Sequence, residues 1–205
     1  MGEVPVSRLA AIIIIVLLLG GCARSQPPNY YVLNSIQYPE SVTQAAGSES
    51  DSVIAVGPVR IADYLDRPQM VSRSSTNGLQ FAEFDKWAEP LEKNLNRVLA
   101  DNLSALVPSQ RVFIYPAKPM PVQYQIPVEI IHLEKAAGEK VILDANWDIL
   151  ADDGEKLLMT KRTKLTLPVE SSGFEGVVSA ESRAVEALSR EIAAALNSLP
   201  RDAIQ

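Results

Sequence analysis

The clearest pattern in the chain is an alternation. Val141, Leu143, Ala145, Trp147 and Ile149 fall on one side of an extended chain, and Ile142, Asp144, Asn146 and Asp148 fall on the other. A period of two predicts a strand with one buried face. Residues 124–133 and 156–167 flank it with similar strand-forming composition, and turn signals at Gly138 and at Asp152-Asp153-Gly154 separate the three. The pattern predicts an antiparallel meander.

Earlier in the chain, residues 30–33, 53–61 and 69–73 are rich in strand formers. Pro58 cannot donate to a ladder, so it marks an edge or a bulge in the second of these. Residues 63–68 form a turn, because the residue before Pro68 is pushed out of the helical region. Asn77-Gly78 signals a hairpin, with 79–81 as the returning strand. Residues 38–52 are polar and without period, as expected of a surface loop. Residues 111–115 make a short strand, and three prolines mark the linker 116–121.

Two stretches change to helical spacing. From Asp85, the positions Trp87, Leu91, Leu95, Val98, Leu99, Asn102 and Leu106 make one stripe, with Trp87 as a core residue at its start. Glu92, Lys93, Asn96, Arg97 and Asp101 lie opposite, and Pro108 ends the helix. In the last helix, 174–199, the stripe is Phe174, Val178, Val185, Leu188, Ile192, Leu196 and Leu199. Glu181, Arg183, Glu186, Arg190 and Glu191 are placed outside, and Pro200 is the stop. The order strands, helix, strands, helix predicts a single α/β domain: a mixed, mostly antiparallel sheet with two long helices packed on it.

The N-terminus is of another kind. Arg8 precedes an unbroken apolar run at 9–19, then Gly20-Gly21-Cys22. The run is shorter than the ~20 residues of a membrane span and has the layout of a secretory signal. Its end, Leu19-Gly20-Gly21-Cys22, resembles the lipobox of a bacterial lipoprotein. That resemblance implies a signal peptide over 1–21, cleavage before Cys22 and acylation of Cys22 as the lipid attachment site. Residues 22–29 are then a lipidated tether and 30–200 the domain. Ala rather than Asp at position 23 resembles lipoproteins exported to the periplasmic face of the Gram-negative outer membrane. Cys22 is the only cysteine, so the fold must stand without an internal disulfide. The net charge of −6 speaks against a nucleic-acid partner.

Candidate chemistry is sparse. His132 is the single histidine, in a strand context, and reads as a sheet residue beside a polar partner rather than a general base or metal ligand. No Gly-x-Ser-x-Gly elbow or phosphate-binding glycine loop occurs. Asp152-Asp153-Gly154 lacks the remaining ligands of a calcium loop. No catalytic residue, cofactor or metal is assigned. Scattered carboxylates leave a lipoprotein hydrolase acting on envelope polymers as the alternative.

Tyr30-Tyr31-Val32-Leu33, Ile54-Ala55-Val56-Gly57-Pro58-Val59, Tyr64-Leu65-Asp66-Arg67-Pro68-Gln69-Met70-Val71 and Trp87-Ala88-Glu89-Pro90-Leu91 follow one another in order. Together they resemble the PqiC-type family, auxiliary lipoproteins of ABC-type and MCE-protein transport systems. The resemblance implies an α/β sandwich and a non-catalytic part in moving lipid between membranes and protecting their integrity. The partners it implies are a periplasmic MCE protein and, through it, an inner-membrane permease. A domain that acts only through surfaces is further expected to self-associate before a symmetric partner. Tyr64, Leu65, Asp66 and Arg67 are the candidate interface. Tyr and Arg are favoured interface anchors, while a purely structural turn would bury Tyr64 and Leu65 and satisfy Asp66 and Arg67 locally.

Overall fold

The meander is the backbone of the molecule. In the computed structural model, which describes residues 26–37, 53–107, 111–116 and 121–199, strands Tyr124–Ala136, Lys140–Ala151 and Lys156–Pro168 pair antiparallel over nearly their whole lengths. In chain order the strands are β1 (Asn29–Tyr31), β2 (Val53–Ile61), β3 (Gln69–Arg73), β4 (Leu79–Trp87), β5 (Arg111–Ile114) and the meander strands β6, β7 and β8. The helices are α1 (Leu91–Leu106) and α2 (Gly173–Ser198). One sheet holds all eight strands in the path β1-β4-β3-β6-β2-β5, with β7 on β6 and β8 outside β7. The shorter pairings β1–β4, β2–β5, β2–β6 and β3–β6 are parallel, so the sheet is mixed, with its longest ladders antiparallel.

The alternation in β7 has the expected consequence. Val141, Leu143, Ala145, Trp147 and Ile149 are all buried in one core, with the stripe of α2 against β7 and α1 packed on α2 and β2. In β2, Ile54, Ala55 and Val56 are fully buried, as suits a central strand with neighbours on both edges. Pro58 therefore marks a bulge and not an edge: the register to β6 shifts between Val56 and Val59, and Gly57 takes a φ of 118° that favours glycine. Leu188, fully buried between helix and sheet, tests this packing. Leu188→Ala is expected to cost about 2–5 kcal/mol in chemical denaturation. An unchanged midpoint would mean that the α2 face is assigned wrongly.

Three expectations are corrected. Asp85, Lys86 and Trp87 do not open the first helix; they end β4, paired with Asn29, Tyr30 and Tyr31. Trp87 is buried, but as a strand residue, and α1 starts at Leu91 with Pro90 as its N-cap. The residue before a proline avoids the helical region, so Glu89 could not lie inside a helix. Glu181 is not on the outer face of α2 but is 1% exposed. The first strand ends at Tyr31, because Val32 and Leu33 turn away along the helices.

That departure is organised by side chains. The Leu33 N–H donates to Asn94 Oδ1 at 2.6 Å, the Asn34 N–H to Ser182 Oγ at 3.1 Å and the Ile36 N–H to Asn102 Oδ1 at 2.8 Å. Asn94 and Asn102 sit in the apolar stripe of α1 because they satisfy the backbone of a strap over residues 32–37. The signal, the loop 38–52 and the helix stops Pro108 and Pro200 lie outside the described residues. Among those described, no helix is long and apolar enough to cross a membrane.

Candidate docking site

The turn at residues 63–68 forms as predicted. It closes through Leu65 N–H to Ala62 O at 2.8 Å, Asp66 N–H to Asp63 O at 3.2 Å and Arg67 Nε to Tyr64 O at 2.9 Å. Leu65 is 2% exposed and plugs the turn into the core. Asp66 is exposed, and the Arg67 guanidinium lies 4.0 Å from the ring centre of Phe81, itself 45% exposed. The turn therefore has a buried root, Leu65 and half-buried Tyr64, and an outward crown of Asp66, Arg67 and Phe81.

Tyr64 fastens the root. Its hydroxyl lies 2.8 Å from Glu134 Oε2, 2.9 Å from His132 Nδ1 and 3.1 Å from Ile131 O. A phenol has one proton to donate, so donation to Glu134 leaves its oxygen to accept from His132 Nδ1. Glu134 is fully buried and also takes the Leu133 N–H at 2.9 Å and the Arg73 guanidinium at 2.7 and 2.8 Å. Burial, then the hydrogen bond and charge of Glu134, push the Tyr64 phenol well above its ordinary range. It stays protonated and serves as a donor, not a nucleophile. The same carboxylate raises the Arg73 guanidinium. His132 is thus a sheet residue held by polar neighbours, as the sequence predicts.

Beside the crown is a groove of about 280 Å³ that the sequence did not announce. One wall is residues 66–68 of the turn; the other is 87–90, where β4 passes into α1. The Trp87 N–H donates to Pro68 O at 2.7 Å and fixes the walls together, while the Ala88 N–H donates to Tyr31 O at 2.9 Å. Glu89 on the rim is gripped by both guanidinium nitrogens of Arg97, which hold its carboxyl below the usual range. The groove is lined by the carboxylates of Asp66 and Glu89, by Arg67 and by the apolar Pro68, Trp87, Ala88 and Pro90. Asp152-Asp153-Gly154 is a turn between β7 and β8, and Asp153 Oδ1 accepts the Val122 N–H at 2.7 Å. Cys22 lies outside the described residues.

The sequence model of one protein family, described as ABC-type transport auxiliary lipoprotein component, matches residues 31–193. The chain belongs to that family. Within this auxiliary lipoprotein group it is similar to the intermembrane transport lipoprotein PqiC of Escherichia coli K12, at 29% identity over 133 residues, 64% of this chain and 68% of the relative. PqiC of Shigella flexneri matches with the same figures. Two crystal structures share the fold: an uncharacterized protein at TM-score 0.70 and 19% identity, and a Xanthomonas campestris protein at TM-score 0.66 and 14% identity. Each likeness covers 83% of this chain and 99% of the other. The auxiliary lipoprotein family thus uses an α/β domain, in agreement with the sequence reading.

Both walls of the groove lie in stretches that carry the family resemblance. Nothing in the sequence brings 66–68 and 87–90 together; the signal available was only that each holds a proline and a charged residue beside a strand terminus, before β3 and after β4. The β3–β4 hairpin brings the two ends side by side.

Proposed function

We propose that this protein is a non-catalytic lipoprotein subunit of an intermembrane lipid-transport system. Acylated Cys22 holds it on the periplasmic face of the outer membrane, and the groove between residues 66–68 and 87–90 receives a periplasmic MCE protein. Through that protein it serves an inner-membrane permease. One observation supports the docking role above others: two of the four segments that carry the family resemblance, separate in sequence, form the two walls of one groove. The tether adds a constraint. The seven residues 23–29 span at most ~25 Å when extended, so the domain stays at the membrane that holds its lipid and its partner must come to it. Self-association would repeat the groove around a symmetric partner.

The test is site-specific photo-cross-linking in intact cells, with the probe placed at Arg67 or at Glu89. Both positions are expected to trap the MCE protein, and Cys22→Ala is expected to abolish the adduct by releasing the domain from the membrane. Adducts from neither position, with the protein correctly localised, would remove the docking site. Undiminished adducts in the Cys22→Ala protein would remove the anchor from the account.

A further inference from the structure

Tyr30, at 62%, is the most exposed large hydrophobic residue among those described, and Val32 close by is 39% exposed. Their exposure is built in. Tyr30 pairs with Lys86 in the sheet, its neighbours Asn29 and Tyr31 both bond Asp85 Oδ1 at 3.0 Å, and Asn94 holds Leu33 immediately after Val32. A shoulder fixed at both ends cannot fold its apolar side chains inward.

Behind the shoulder runs a groove of about 490 Å³, between the strap 32–37 and the first half of α2. Val32, Ile36 and Val178 supply an apolar wall, and Glu175, Arg183 and Glu186 a charged rim. Arg183 is paired with Glu170 and donates to Pro168 O at 2.7 Å, Glu186 is paired with Arg190, and Glu175 forms no ion pair among the described residues.

Chain length decides what the shoulder meets. From Cys22 to Tyr30 the backbone spans at most about 28 Å, so a lipid on Cys22 keeps the shoulder within that distance of the membrane surface. We propose that the Tyr30–Val32 shoulder is the face by which the domain lies on the bilayer, with the Tyr30 ring at the interface. Tyrosine suits this depth because its ring is apolar and its hydroxyl wet. The proposal rests on Cys22 as the lipid attachment site.

The experiment uses the full lipidated protein carrying Tyr30→Trp, incorporated into phosphatidylcholine vesicles with acyl chains brominated near the headgroup. The native Trp87 and Trp147 are 6% and 1% exposed and give the unquenched baseline. The introduced indole is expected to shift to the blue and to be quenched at least roughly twofold relative to plain vesicles, as for an aromatic ring at the interface. A protein that floats with the vesicles but is quenched no more than wild type overturns the orientation, and shows the shoulder to be free or covered by a protein. A protein that fails to float overturns the anchor and this orientation with it.

Discussion

Arg73→Met should cost about 3–5 kcal/mol of stability, as expected when one partner of a buried ion pair is removed. Arg73 is the only cation within ion-pair distance of Glu134 among the described residues apart from the ring of His132 at 3.4 Å, and Glu134 is fully buried. Without the guanidinium the carboxylate keeps the Tyr64 hydroxyl and the Leu133 N–H, two donors that carry no charge. A test of the mechanism is the double variant Arg73→Met with Glu134→Leu. It should recover much of the loss, because no uncompensated charge remains and Tyr64 still has Ile131 O at 3.1 Å. Denaturant titration reads both. A single variant within about 1 kcal/mol of wild type would mean that the pair behaves as an exposed one.

The consequence for docking follows from where the network sits. Arg73 ends β3, Glu134 lies near the end of β6 and Tyr64 lies in the turn, so one carboxylate ties the root of the proposed docking turn to two strands. A loosened root would let Arg67 leave Phe81 and open the groove wall at 66–68. Arg73→Met should therefore weaken cross-linking from position 67 even at temperatures where the domain remains folded.

What the sequence disclosed, and what it hid, divides along physical lines. The meander was legible because period-two patterning reports a one-sided burial directly, and β7 keeps it except at Asp144, which is buried under the Arg162 guanidinium. Pro58 and the turn before Pro68 were legible because proline acts locally on its own neighbours. The same rule, applied to Pro90, would have stopped the first helix from starting at Asp85; the helical spacing of Trp87, Leu91 and Leu95 ran by coincidence from a strand end into a helix. Asn102 was placed in the stripe by spacing alone, and its reason, the Ile36 N–H, is 66 residues away. The candidate docking turn was singled out by its residue types. Its second wall and the Tyr64–Glu134–Arg73 network were not, since both depend on strand neighbours that only the sheet order supplies.

Glu181 is the sharpest case, because there the spacing was right and the residue type misled. It falls three residues after Val178 and four before Val185, the missing step in the α2 stripe, and it is indeed buried with Oε2 lacking any partner among the described residues. Burial raises its carboxyl well above the ordinary value of 4.5, and the negative charge of Glu134 adds to this. An acid whose proton is held more tightly in the folded than in the unfolded state destabilises the fold as pH rises. The contribution is harmless below the unfolded value, and stability falls by about 1.4 kcal/mol per pH unit above it while the folded carboxyl keeps its proton. Glu181→Met, similar in length and apolar, removes both the titration and the orphan oxygen. The variant is expected to be more stable than wild type at neutral pH, with an advantage that grows over the pH interval above the unfolded value in which the folded carboxyl keeps its proton. Urea denaturation of both proteins across that interval is the measurement. Parallel pH profiles would show that Glu181 ionises alike in folded and unfolded chains, and the buried acid would then have to be solvated by a route through α2.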